Sequence, residues 1–263
     1  MSFLLTFEPV IHISIIGTGN VATHLAQAIA QSPLLRLDCV YGRSEEKLEP
    51  FKELTSTITS LNKIQNTGLL IVAITDDELK TMPDKIAVGD ILTVHTSGSV
   101  SMRVFEKFER YGVFYPLQTF TAGRKIDVKK IPFCLEAKNK KDLEILKTVT
   151  QALGANHFVV NSEQRAKLHL AAVYANNFVN GILAEAKTLC EASGLPFKIL
   201  RPLVEETFEK VFKIGPENAQ TGPARRGDHE TIKKQVAALP MDQKKLYIEI
   251  TNSILRRYER KEL

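Results

Sequence analysis

Val10-Ile11-His12-Ile13-Ser14-Ile15-Ile16-Gly17-Thr18-Gly19-Asn20-Val21-Ala22 runs from an apolar, β-branched stretch into two glycines one residue apart, and then into a helical pattern. Val10–Ile16 reads as a strand that ends at Gly17. From Asn20 to Gln31, apolar Val21, Ala22, Leu25 and Ile29 recur on one helical face, and Ser32-Pro33 stops the pattern. Gly17-Thr18-Gly19-Asn20-Val21-Ala22 is thus a G-x-G-x-x-A turn between a strand and an amphipathic helix, the context in which such a turn binds a dinucleotide. Gly17 permits the tight turn, Gly19 lets a pyrophosphate approach the backbone, and Ala22 lets helix and strand pack closely. The helix N-terminus adds free N–H groups and the positive end of its dipole. The plainer reading is a glycine turn without a ligand.

Outward from this turn, short β-rich runs alternate with helical stretches. Leu37–Tyr41, Ser56–Thr59, Leu69–Ile74, Ile91–His95, Val113–Tyr115, Phe133–Ala137 and His157–Val160 read as strands. Leu69–Ile74 is apolar at every position, as a strand buried on both faces of a parallel sheet must be. Ser44 caps a short helix in which Pro50 sits awkwardly, and Lys141–Leu153 is a further helix. The alternation predicts an α/β fold, a doubly wound and mostly parallel sheet with right-handed crossovers. After about Val160 strand signals cease. Long helices are expected over Glu163–Ser193, Pro196–Lys213, Asp228–Ala238 and Asp242–Arg260, with a Gly-, Pro- and Arg-rich loop from Gly215 to Asp228. The expected organisation is a dinucleotide-binding domain over residues 1–160 and an all-helical domain over 161–263.

The chain has 263 residues, 44% hydrophobic and 25% charged, enough to build a sizeable core without a disulfide or metal staple and too apolar for wholesale disorder. Cys39, Cys134 and Cys190 are odd in number and far apart, which fits a reducing compartment and offers neither a disulfide framework nor a zinc site. No apolar run approaches the ~18 residues of a membrane span. Met1 to Glu8 has no basic start and no small-residue cleavage site, so a cytoplasmic protein is expected. The net charge of +5 suits an anionic small ligand. Scattered basic residues without interleaved aromatics speak against nucleic acid, and the Arg256–Lys261 cluster reads as a solvated helix end.

The end of the second strand bears on which dinucleotide is bound. NAD sites usually place an acid there to hold the ribose 2′-hydroxyl, whereas Val40-Tyr41-Gly42-Arg43-Ser44 supplies a base and a hydroxyl. Arg43 can pair with a 2′-phosphate and Ser44 can add a hydrogen bond, so NADP is the expected cofactor; otherwise Arg43 is a surface residue after a strand. Thr75 and Ser97 fall where two central strands run out, at the carboxyl edge where open α/β sheets bind ligands. Asp77 and Ser99 there either contact ligand or cap the following helices.

The Glu163–Ser193 helix is apolar nearly all round and is expected to be buried, yet it carries polar residues. At ~100° per residue, His169, Asn176, Asn180 and Lys187 form one stripe, with Lys167 opposite. A ligand satisfies it, or the stripe is a wet face, or it packs against another helix or a second subunit. In the ligand reading His169 hands a proton to a substrate oxygen, Asn176 orients it, Ser97 assists, and Asn180 binds substrate. Arg225 and Arg226 in the 215–228 loop clamp a substrate carboxylate, unless that loop is a plain surface connection.

On Gly17–Ala22, His95-Thr96-Ser97-Gly98-Ser99, Tyr115-Pro116-Leu117-Gln118-Thr119-Phe120, His169 with Ala171-Ala172 and Asn176-Asn177, and Thr221–Asp228, the whole chain resembles the Rossmann-like NADP oxidoreductases whose C-terminal half is a domain of unknown function. Their relatives are ketopantoate reductases, pyrroline-carboxylate reductases and deazaflavin-dependent NADP oxidoreductases. The resemblance implies NADP binding by the N-terminal domain and dimerisation through the helical one. It departs from the better-known β-hydroxyacid dehydrogenases, whose Lys-x-x-x-Asn pair is missing because Ala171 stands four residues after Lys167. The expected function is an NADP-dependent reductase of a small carbonyl or imine acid at a cleft between the domains. The alternative is a non-catalytic NADP-binding sensor or scaffold.

Overall fold

The computed structural model describes residues 10–64, 67–87 and 89–263; the stretch Met1 to Glu8 lies outside them. The first segments are β1 (Ile11–Ile16), α1 (Asn20–Gln31), β2 (Leu35–Tyr41), α2 (Glu45–Leu48), β3 (Ser56–Ile58), β4 (Leu69–Val72), α3 (Asp76–Thr81), β5 (Leu92–His95), β6 (Tyr111–Pro116), β7 (Phe133–Ala137), α4 (Lys140–Ala152) and β8 (His157–Val159). Pro50 sits in a 3-10 turn, Glu49–Phe51, that follows α2 and ends it. The strands form one sheet in the order β3-β2-β1-β4-β5-β6-β7-β8. Every neighbouring pair is parallel except β6 and β7. The order reverses direction at β1, so β2 and β4 flank the strand that feeds the glycine turn, the place where such sheets open a crevice.

Burial follows the alternation of side chains across the sheet. Ile13, Ile15, Leu69, Ile71, Leu92 and Val94 point to one face, where Ala22, Leu25, Ala26 and Ile29 of α1 and Leu146 and Val149 of α4 cover them. Ile16, Leu70 and Val72 point to the other, under Leu79 of α3, Phe105 and Phe108. Strands clothed on both faces tolerate apolar residues at every position, which is why β4 is LLIV without a polar break.

The remaining helices are α5 (Ser162–Ala172), α6 (Val179–Ala192), α7 (Arg201–Ile214), α8 (Pro216–Ala219), α9 (Pro223–Arg226), α10 (His229–Ala238) and α11 (Met241–Arg257). The described residues fall into two compact units, the first running to Asn177 and the second Phe178–Leu263, so α5 belongs with the sheet. Three expectations are corrected. The helix expected over Glu163–Ser193 is interrupted by a π-helical stretch, Val173–Phe178. The 215–228 segment is two short helices, each started by a proline, rather than an open loop. The long apolar helix is also not buried. No residue of α6 is buried, and Leu170 and Ile182 are exposed, because apolar periodicity says that a helix face seeks cover without saying what covers it. Among the described residues no helix is long and apolar enough to cross a membrane.

Candidate active site on the carboxyl edge of the sheet

The glycine turn has the shape that a phosphate cradle requires. Gly17 has φ +126°, and a Cβ there would sit 2.1 Å from the Ala73 carbonyl oxygen, so only glycine lets β1 turn against β4. Gly19 caps α1 with φ −80° and ψ −179°, and a Cβ on it would meet nothing within 4 Å. Among the described residues no side chain caps α1, and no acid lies in its first turn, which leaves its N-terminal N–H groups and dipole for an anion. The Asn20 side-chain amide donates to the Phe120 carbonyl at 3.0 Å, tying the segment after β6 to the start of α1.

Where β2 ends, Arg43 reaches α3 and pairs with Glu78, Nη1 to Oε1 at 2.6 Å. Thr75 Oγ1 donates to the other Glu78 oxygen at 3.1 Å. Ser44 accepts the Lys47 N–H at 3.3 Å and serves as the α2 cap.

Where β5 ends, the 97–100 turn is knitted by its own groups. Ser97 Oγ accepts the N–H groups of Ser99 at 3.2 Å and Val100 at 3.0 Å, so this buried hydroxyl shapes the turn. The Ser97 N–H donates to His95 Nδ1 at 3.2 Å, and Ser99 Oγ donates to Asp76. Asp77 pairs with Lys80 at the surface. His95 is fully buried with Nε2 unpartnered among the described residues. Burial, and then the positive charge of Arg165, lower its pKa to about 3, so it stays neutral.

α5 docks on this turn through Arg165, which is fully buried. Its Nε donates to the Ser97 carbonyl at 3.2 Å, Nη2 donates to the Val100 carbonyl, and Nη1 pairs with Glu136 of β7. The Ser162 hydroxyl donates to the same carboxylate at 2.9 Å and accepts the Met102 N–H at 3.2 Å. Both charges are therefore matched, as buried charges must be.

One turn along α5, His169 lies over Gly98 and against Tyr115 of β6. The Tyr115 hydroxyl is 3.0 Å from His169 Nδ1. A Cβ on Gly98 would lie 2.6 Å from that Nδ1 and 2.8 Å from Tyr115 Cζ, so the pair closes only over a glycine. Burial pushes the Tyr115 phenol up to about 12, so it keeps its proton. Nδ1 is the partner for that buried proton among the described residues, so the hydroxyl donates to Nδ1 and Nε2 is the ring's other polar atom. The arrangement presents a half-buried imidazole at the sheet edge with the Tyr115 hydroxyl bonded to its Nδ1.

Comparison with known proteins agrees with this layout. Residues 131–254 match a family described as a domain of unknown function, DUF2520. A candidate NADP oxidoreductase of Bacteroides fragilis is 37% identical, with the match covering 96% of this chain and 100% of that one at a TM-score of 0.85. The chain belongs to this Rossmann-like NADP oxidoreductase family. A protein of Thermotoga maritima is 24% identical over 94% of this chain and 97% of its own, with a TM-score of 0.72. A pyrroline-5-carboxylate reductase of Coxiella burnetii shares the fold at 18% identity and a TM-score of 0.57, over 95% and 98% of the two chains. Curated protein sequences gave no match.

Within this family member, the residues expected at the site are brought together only in part. Gly17, Thr18, Gly19, Asn20 and Val21 form the turn and the first turn of α1, and Arg43, Ser44 and Thr75 lie at the ends of the strands flanking β1. Asn176 is exposed beside Asn177 at 3.4 Å, and Asn180 is exposed on α6 in the second unit. The ~100° arithmetic that joined them to His169 does not hold across 173–178, because a π turn takes an extra residue per hydrogen-bonded ring. Arg225 donates to the carbonyls of Asn218 and Gln220 and stacks 5.3 Å from the Tyr258 ring centre, holding its own segment in shape, while Arg226 is exposed. Sequence reasoning missed Glu136, Arg165 and Glu78, and quoted Tyr115 and Gly98 only as motif residues without a role at the site. The signal for those two was their place in motifs that follow or end two adjacent strands.

Proposed function

We propose that the chain is an NADP-dependent reductase that transfers a hydride to a small carbonyl or imine acid, with His169 as proton donor. The observation that carries this reading is that the open glycine turn and the Tyr115–His169 pair stand on the carboxyl edge of one sheet. The 17–21 backbone would hold the pyrophosphate, Arg43 the 2′-phosphate, and Thr75 with the Ser97 turn the nicotinamide side. When bound, the cofactor supplies the hydride. The His169 imidazole is placed to protonate the substrate oxygen or nitrogen and would regain its proton from solvent, while the Tyr115 hydroxyl on Nδ1 orients the ring. Family membership supports the cofactor, and the fold shared with a pyrroline-carboxylate reductase supports an imine or oxo acid as substrate. The test is NADPH oxidation against pyrroline carboxylate, ketopantoate and other small oxo acids and cyclic imines. Turnover with one of them, lost in His169→Ala while NADPH still binds, is expected; NADPH binding without oxidation of any substrate overturns the reading.

A second copy of the chain is the proposed cover for the helical unit. α6 and α7 have no buried residue, and Leu203 and Phe212 are 65% and 86% exposed. Apolar area of that extent is covered in most soluble proteins. Light scattering should give a dimer, and a monomer would refute this. Three free cysteines, two of them buried, fit the cytoplasm.

A further inference from the structure

The pair between Arg43 and Glu78 has a consequence for cofactor choice. β2 and β4 lie on either side of β1, so Arg43 at the end of β2 and Glu78 in α3 after β4 meet across two strand spacings, roughly 10 Å, beside the glycine turn. Glu78 is held for this contact. Thr75 donates to one of its oxygens at 3.1 Å, and the other faces Arg43 Nη1 at 2.6 Å. The carboxylate thus occupies an anion position on the guanidinium that is assigned, under the proposed function, to the 2′-phosphate.

We infer that Glu78 sets the strength of the preference for the phosphorylated dinucleotide. Its carboxylate is an internal stand-in for the 2′-phosphate, and the two compete for Arg43. Binding NADP(H) exchanges one charge-assisted contact for another and brings a phosphate beside a carboxylate. NAD(H) brings only a hydroxyl, which leaves the Arg43–Glu78 pair intact and incurs neither cost. Glu78 therefore narrows the preference that Arg43 creates. The inference rests on Arg43 being the 2′-phosphate partner.

The test is a fluorescence titration of NADPH and NADH against the full chain and the variants Glu78→Gln, Arg43→Ala and the double variant, at low and at high salt. Exposed ion pairs are weak and screened, so the expected gain in NADPH affinity for Glu78→Gln is about two- to fivefold at low salt and smaller at high salt. NADH affinity should stay unchanged, and the gain should vanish when Arg43 is absent. Weaker NADPH binding in Glu78→Gln would show instead that Glu78 positions Arg43 and would overturn the inference. An equal change for both cofactors, or a gain that persists without Arg43, would overturn it as well. If Arg43→Ala alone keeps the full preference for NADPH, the 2′-phosphate is held elsewhere, and the assignment of Arg43 falls before that of Glu78.

Discussion

Gly98→Ala is the sharpest probe of the Tyr115–His169 pair. Gly98 does not have a positive φ, so alanine fits the backbone and the change acts through one added methyl group. That methyl would lie 2.6 Å from His169 Nδ1 and 2.8 Å from Tyr115 Cζ, about 0.8 Å inside ordinary contact. Relief must come from His169 or Tyr115, because the turn itself is pinned by Arg165 on the Ser97 and Val100 carbonyls. Moving either ring by that amount stretches the 3.0 Å hydrogen bond out of range. Overpacking costs ~1–3 kcal/mol of stability, and a displacement near 1 Å at reacting groups can lower turnover ~100-fold. Thermal melts, NADPH titration and steady-state rates on one preparation measure all three effects. The expected result is a folded protein with normal cofactor affinity, perturbed His169 and Tyr115 NMR signals, and turnover lowered by roughly 10–100-fold. Full turnover with unshifted His169 signals would refute the placement of this pair at the chemistry.

Tyr115→Phe removes the hydroxyl and little else; kcat should fall about tenfold, the worth of one positioned hydrogen bond, with NADPH affinity unchanged. Unaltered kcat would make Tyr115 a packing residue only. Gly19→Val should remain folded, since valine accepts φ −80° and ψ −179° and its side chain meets open space, yet lose dinucleotide binding; circular dichroism with NADPH titration checks both halves. For His95, a pKa lowered to about 3 from an ordinary 6.5 means that the unfolded chain binds the proton first. Its contribution is complete above pH 6.5 and is lost, at up to ~1.4 kcal/mol per pH unit, as pH falls towards 3. Denaturant melts of His95→Gln should show a shallower acid slope than the unmodified protein, and equal slopes would contradict the buried, neutral assignment.

The sheet was legible because its signals are local. β1, the glycine turn and α1 declare themselves within twenty residues, and Phe133–Ala137 and Asn20–Gln31 have the bounds that periodicity predicts. The stripe on the long helix failed for a reason also local but silent in the sequence: a π turn leaves no compositional mark, so a fixed angle per residue overruns it at Val173. Glu136 and Arg165 were out of reach for a different reason. They are 29 residues apart, and a charged residue in a strand reads as solvent-facing unless its partner is known. Ser97 was legible as a strand-end residue, while the two N–H groups its hydroxyl accepts were not, because turn hydrogen bonds leave no mark in the sequence.

Arg165 also bears on the order in which the chain can be completed. Synthesis delivers all eight strands by Val159, and the residues 97–100 and 136 emerge well before residue 165. Until then Glu136 has no counter-charge, and the Ser97 and Val100 carbonyls lack their donor. A fragment cut after residue 160 would contain every strand among the described residues and lack the cation that pairs with Glu136. In the full chain, where α5 also buries Glu136, loss of the Arg165 charge alone would cost ~3–5 kcal/mol, a large share of a domain's stability. A dinucleotide-binding fragment that runs past the first turns of α5 should therefore melt at a higher temperature than one cut at residue 160.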